Sequence, residues 1–164
     1  MRILLTGLSG TGKSTVIADL QARGYTAVDL DTDSWSEWAT TANGDDAGVR
    51  GKLDWLWRED RVSQLLDAHE HDLLFLSGSA SNQVRFYSRL DHVILLSAPA
   101  ELMAERLRTR ATNPYGRDPV ELQRALALKQ TIEPRLRNAA TLEIDTSAPL
   151  AHVVAAVLDL IREP

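Results

Sequence analysis

The sequence predicts an α/β fold: a parallel sheet of five strands with helices on both faces, in three layers. Two observations predict it. Short apolar runs alternate along the 164 residues with longer segments of helical spacing, the pattern of repeated βα units. The best of these runs, Ile3-Leu4-Leu5, Leu73 to Leu76 and Val93 to Leu96, are continuously apolar, as strands covered on both faces must be. Polar punctuation follows the runs, at the carboxyl ends of the strands, where such sheets collect ligands.

The first strand is expected at 2–6 and its helix at about 13–23, where Val16, Ile17 and Leu20 repeat at helical spacing. Tyr25 to Leu30 is the second strand. A helix bearing Trp35 and Trp38 follows, with Asp33 or Ser34 as its cap. Residues 39–53 are glycine-rich and polar, hence a loop. A helix is expected at 59–69, then a strand at 73–76 that ends in Ser77-Gly78-Ser79. The next strand is 92–96, followed by a helix at 99–110. Residues 109–118 contain Asn113-Pro114 and Gly116, which interrupt the helical pattern before a helix at 118–137. Leu142 to Ile144 is the last strand. The closing helix, 149–162, carries Leu150, Val153, Val154, Val157, Leu158 and Ile161 on one apolar face.

Length suits one domain, 1–164. A net charge of −5 leaves no basic footprint for nucleic acid or a membrane surface. Cysteine is absent, which removes disulfide frames and thiolate sites. No leader or spanning segment is recognisable, and the expectation is a cytoplasmic monomer or homodimer.

The chemistry begins at Gly7-Leu-Ser-Gly-Thr-Gly-Lys-Ser14, which fits G-x-x-x-x-G-K-[ST] between a strand and a helix. Gly7, Gly10 and Gly12 let backbone N–H groups turn toward phosphate oxygens, and the positive end of the next helix adds attraction. Ser9, Thr11 and Thr15 complete the expected nucleotide cradle. Lys13 brings a charge to the β- and γ-phosphates of a nucleotide, and Ser14 a hydroxyl for Mg²⁺. A plain βα turn is the alternative, but Lys-Ser after the last glycine has no purpose there.

Asp29, Asp31 and Asp33 alternate, so an extended segment puts them on one side. A phosphotransferase needs one carboxylate near Mg²⁺ and another to orient or deprotonate an acceptor hydroxyl; capping is the competing role, above all for Asp33. Arg106 and Arg110 are four residues apart and so are expected to share a helix face, and Arg117 follows across a turn. Guanidinium groups fork onto phosphate and stack on adenine; a solvated face paired with Glu101 and Glu105 is the alternative.

These constellations, in this order, resemble the nucleoside-monophosphate-kinase-like branch of P-loop kinases, nearest the shikimate kinase and gluconate kinase group. The resemblance spans nearly the whole chain. Asp29-Leu30-Asp31 looks like the group's D-x-D, and Arg106 to Arg110 with Arg117 looks like its arginine motif and lid arginine. The resemblance implies a three-layer P-loop NTPase fold with strand order 2-3-1-4-5, and a closing lid at about 109–118 with Arg110 and Arg117 acting on phosphate. It implies ATP as donor with Mg²⁺ served by Ser14 and Asp29, Asp31 as the acceptor-side acid, and Ser147 in the loop flanking adenine. Two departures stand out. Ser77-Gly78-Ser79-Ala80 replaces a glycine run, and Ile132 stands where an acceptor-binding arginine is expected, so shikimate is not the expected substrate.

The acceptor segment is expected at about 34–70. All four tryptophans (Trp35, Trp38, Trp55 and Trp57) lie there, and an aromatic wall with a few charges suits a hydroxylated small molecule. Packing of a small insert core is the other reading of Trp55 and Trp57. Asp31, Asp33, Trp35, Arg58, Arg61 and Ser79 are the expected acceptor contacts, with Asn82 and Gln83 as further hydroxyl partners. The sequence reads as an ATP-dependent kinase acting on a hydroxyl of a small molecule. Alternatives are a nucleoside or nucleotide kinase, an antibiotic or nucleotide-sugar phosphotransferase, and a nucleotide-binding switch.

Overall fold

The computed structural model describes residues 1–40, 53–111 and 113–162. Strand β1 (Arg2–Thr6) leads through the glycine-rich loop into α1 (Lys13–Ala22) and then β2 (Ala27–Asp29). Strands β3 (Ser36–Thr40) and β4 (Leu53–Trp57) precede α2 (Glu59–Ala68) and β5 (Leu74–Ser77). A 3-10 helix (Gln83–Arg89) leads to β6 (His92–Ser97), α3 (Ala100–Thr109), α4 (Pro119–Thr131) and α5 (Glu133–Ala139). Strand β7 (Leu142–Asp145) and α6 (Leu150–Asp159) complete the described elements.

The main sheet runs β2-β5-β1-β6-β7, and every pairing in it is parallel. Counting its strands alone, that is the order 2-3-1-4-5. Alternation along β1 explains the layers. Ile3 and Leu5 join Val16, Ile17, Leu20, Val154 and Val157 on the α1 and α6 face. Leu4 points the other way, into a cluster with Trp57, Val62, Leu66 and Phe86 beneath α2 and the 3-10 helix. Leu95 and Met103 meet Leu8 and Leu136 under α3 and α5.

Several sequence expectations are corrected. The helix expected to bear Trp35 and Trp38 does not form; β3 pairs antiparallel with β4, and Trp38 stands opposite Trp55. Asp33 and Ser34 are therefore not helix caps. The aromatic and β-branched residues favour a pleated surface, and the strand's partner lies far along the chain. Of the expected 39–53 loop, residues 39, 40 and 53 are in strands, and 41–52 lie outside the described residues. The second strand is shorter than 25–30. The 118–137 helix is two helices, broken at Ile132 where Pro134 enters the first turn of α5, because proline cannot continue the preceding hydrogen-bond ladder. Asp118 caps α4 by accepting from the N–H groups of Val120 and Glu121. The 3-10 helix between β5 and β6 was not foreseen. Arg110 leaves α3 as its extended C-cap residue, so Arg106 and Arg110 do not share a helix face.

Candidate active site

Five carboxyl-end segments converge: the loop after β1, the ends of β2 and β5, and the segments after β6 and β7. Gly7 passes so close to β6 that a β-carbon there would lie 2.3 Å from the Leu96 carbonyl oxygen. No larger residue fits. Gly10 and Gly12 turn at φ 87° and 91°, and α1 starts at Gly12 without a side-chain cap. The uncapped start of a helix is an anion-binding element. Thr11 Oγ1 braces the loop by donating to the Leu8 carbonyl at 2.8 Å. Ser9 is half-buried on the loop, and Ser14 and Thr15 are exposed at the start of α1.

Lys13 is 9% exposed. Its Nζ donates to the carbonyls of Gly7 and Leu8, at 2.8 and 3.2 Å, and lies 3.8 Å from Asp31 Oδ2. Ser14 Oγ donates to Asp29 Oδ2 at 2.6 Å, and Asp29 Oδ1 accepts the Asp31 N–H at 3.0 Å. The chain turn after β2 thus orders two acids on the loop: Asp29 at Ser14 and Asp31 at Lys13. Asp33, by contrast, is exposed, and its carbonyl accepts from Arg58 Nε.

The Asp31 carboxylate also accepts the Ser79 N–H on both oxygens, at 3.0 and 3.2 Å, and the Trp55 side chain. Burial raises its pKa above the ordinary carboxyl value, and Asp29 adds to the rise; Lys13, Ser79 and Trp55 oppose it. A half-buried carboxylate with raised proton affinity beside an ammonium is suited to accept a proton from a bound hydroxyl. Ser14 and Asp29 form a pair of hard oxygen donors. That set fits Mg²⁺, which uses one or two protein oxygens together with phosphates. Among the described residues no group of three or more His, Asp or Glu could hold a metal by itself.

The arginines divide. Arg106 Nη1 donates to the Gly10 carbonyl at 3.3 Å and to Thr146 Oγ1 at 2.9 Å, and Nη2 donates to the Thr146 carbonyl at 2.6 Å. It ties the phosphate loop to the loop after β7. Ser147, the expected adenine neighbour, is exposed, and its N–H donates to Asp145; the adjacent Thr146 is the buried member of that loop. Arg110 donates to the carbonyls of Asn113 and Tyr115, and Arg117 donates to the carbonyl of Arg110. Both therefore hold the 109–118 segment together.

On the acceptor side, Arg58 pairs with Glu37 at 2.8 Å, and Arg61 donates to the Ser34 carbonyl at 2.6 Å. These residues fasten the β3–β4 ribbon to α2. Trp35 and Trp55 pack against the core and Trp57 is within it, and Trp38 meets Trp55 with ring centroids 5.0 Å apart. Asn82 and Gln83 are buried and engaged within the fold. Asn82 bonds the backbone of Trp57 on both sides, and Gln83 joins Thr6 and Tyr87. A buried amide needs such partners, and short-range sequence spacing does not show them.

The family model described as an AAA domain matches residues 3–128. No curated protein matches the chain. Among solved structures, it is similar to a shikimate kinase from Bacteroides thetaiotaomicron, with 18% identity over 99% of each chain and a TM-score of 0.65. It is similar to a gluconokinase from Sinorhizobium meliloti 1021, with 21% identity over 98% of this chain and 91% of that one, TM-score 0.51. A deoxyadenosine kinase from M. mycoides with bound dATP shows 11% identity over 99% and 100% of the chains, TM-score 0.58. At these identities the likeness is one of fold, and it is the fold of P-loop kinases. With that fold and a family model covering most of its length, the chain belongs to the AAA domain family.

Proposed function

We propose that the protein is an ATP-dependent kinase that transfers the γ-phosphoryl group to a hydroxyl of a small molecule, as one domain with an acceptor segment at 34–70 and a lid at 109–118. The observation that carries the reading is Asp31 Oδ2, 3.8 Å from Lys13 Nζ. A half-buried carboxylate beside the lysine of the glycine-rich loop, next to Trp55 of the tryptophan ribbon, supports an acceptor site there. A nucleotide switch has no use for an acceptor acid there.

The transfer breaks the bond between the γ-phosphorus and the bridging oxygen of ADP and forms a bond to the acceptor oxygen. The acceptor's proton passes to Asp31. Lys13 leaves the Gly7 and Leu8 carbonyls to meet the β- and γ-phosphates, where a preplaced charge stabilises the transition state. Ser14 and Asp29 would hold Mg²⁺, which when bound neutralises phosphate charge. Asp29 also orders Asp31 through its N–H bond. Arg110 and Arg117 exchange lid carbonyls for phosphate oxygens as the lid closes, which excludes water from the reaction. Arg106 keeps the nucleotide loops in register. A nucleoside acceptor is the second reading, favoured by the Trp38–Trp55 pair, whose faces suit a planar ring.

The test is ADP formation from MgATP across hydroxylated metabolites and nucleosides, with Lys13→Ala as control. One acceptor should stimulate ADP formation, and Lys13→Ala should lower kcat about a hundredfold or more with little change in Tm of the ligand-free protein. Full activity in folded Lys13→Ala overturns the reading.

A further inference from the structure

Trp57 ends β4 and is 2% exposed, with its ring packed against Phe86 in the core. Its indole nitrogen is the exception to that packing. Nε1 is buried and has no hydrogen-bond partner among the described residues. A buried N–H without a partner is costly, so such a group in a native fold requires an explanation.

Its position supplies one. A β-carbon placed on Gly78 would lie 3.1 Å from Trp57 Nε1 and 3.0 Å from Asp31 Oδ1. An indole donor and a carboxylate acceptor therefore converge on one small patch, which a side chain at position 78 would cover. The other Asp31 oxygen faces Lys13. The Ser79 N–H is on Asp31 and the Asn82 amide is on the Trp57 backbone, while the Ser77 hydroxyl is, like the indole, buried and unpartnered among the described residues.

We infer that Trp57 is a specificity-determining residue, whose Nε1–H donates to a hydroxyl oxygen of the acceptor while that hydroxyl donates to Asp31 Oδ1. The role rests on the kinase reading above. A hydroxyl donates and accepts at once, as this patch demands. A carboxylate brings no proton and is repelled by Asp31, and an ammonium has no lone pair for the indole. The patch therefore selects a neutral hydroxylated portion of the acceptor.

Indole N–H resonances of the ¹⁵N-labelled full chain test this. The Trp57 peak is assigned by its loss in Trp57→Phe. If that variant does not fold, single Trp→Phe changes at 35, 38 and 55 assign it by elimination. With a non-hydrolysable ATP analogue and Mg²⁺ present, myo-inositol, D-glucose and 2′-deoxyadenosine are titrated, with cyclohexylamine as a ring lacking hydroxyls. At least one hydroxylated probe should move the Trp57 peak saturably, and cyclohexylamine should not. Trp57→Phe should weaken that probe about tenfold, the effect of one lost hydrogen bond, and leave affinity for the ATP analogue within about twofold. The inference is overturned if no hydroxylated probe moves the peak, or if a folded Trp57→Phe binds the probe as the parent does. If the probe binds through Trp57 but ADP never forms from MgATP, the indole role stands and the kinase reading falls.

Discussion

Asp31 sits where two demands conflict. Its enclosure raises its pKa above the ordinary 3.8, which suits a proton acceptor and costs the fold. A carboxyl whose pKa is raised by folding favours the folded state below its unfolded pKa, and that advantage is lost as pH rises through its folded value. Asparagine resembles the protonated form. Asp31→Asn is therefore expected to raise Tm at pH 7, with the gain vanishing below about pH 3.8 in a pH series of thermal melts. The same change should lower kcat about 10²- to 10⁴-fold, the usual contribution of a positioned base, while ATP affinity measured by titration calorimetry stays close to the parent's. A variant that is both less stable and fully active contradicts this account of the residue.

At the scale of elements, the break between α4 and α5 has a consequence for acid stability. Arg137 on α5 joins Glu143 on β7 at 2.7 Å and the buried Glu133 at 2.9 Å, while Lys129 on α4 also holds Glu133. The Arg137 hydrogen bonds pull the Glu143 pKa down to about 2. A carboxyl with a lowered pKa stabilises the fold above its unfolded pKa, here 4.5, and loses that contribution as pH falls through the folded value. Arg137→Leu should thus destabilise by about 1 kcal/mol or less at pH 7, because solvent screens a pair whose partners are both over a third exposed. Urea denaturation should show the difference from the parent shrinking between about pH 4.5 and 2. A difference independent of pH over that range would assign the loss to packing instead.

Across the whole molecule, the nucleotide and acceptor sides carry different reporters. All four tryptophans lie in residues 35–57, whereas the loop at 7–15, Arg106 and Thr146 form the proposed nucleotide side. ATP alone is therefore expected to perturb tryptophan emission weakly. An acceptor that contacts Trp55 or the exposed part of the Trp38–Trp55 pair should perturb it strongly, because indole emission follows local polarity and hydrogen bonding. A fluorescence titration of each ligand separately checks this. A large response to ATP and none to a phosphorylated acceptor would move the acceptor away from the β3–β4 ribbon. Arg106 makes the fold work as a unit here: one guanidinium on α3 bonds the loop after β1 and the loop after β7.

By itself, the sequence determined the parallel sheet and the glycine-rich turn between β1 and α1, because both rest on local signals. Buried strands must be continuously apolar, and Gly7, Gly10, Gly12, Lys13 and Ser14 are close neighbours whose spacing reflects their shared geometry. The alternation of Asp29 and Asp31 was legible for the same reason, and both meet the loop while Asp33 does not. Only the tertiary structure decided what depends on distant partners. The segment at 36–40 is a strand because Leu53–Trp57 lies beside it. Arg58 and Arg61 anchor that ribbon, and Asn82 and Gln83 satisfy buried backbone and hydroxyl groups. Arg110 lies just past the end of α3, where its guanidinium meets the carbonyls of Asn113 and Tyr115. Trp57 read in the sequence either as part of an aromatic wall or as insert core, and nothing there set its indole N–H apart. Its unpartnered N–H became visible only when folding brought β4, Gly78 and Asp31 to one point, since hydrogen-bond satisfaction is a property of three-dimensional neighbours and leaves no local pattern.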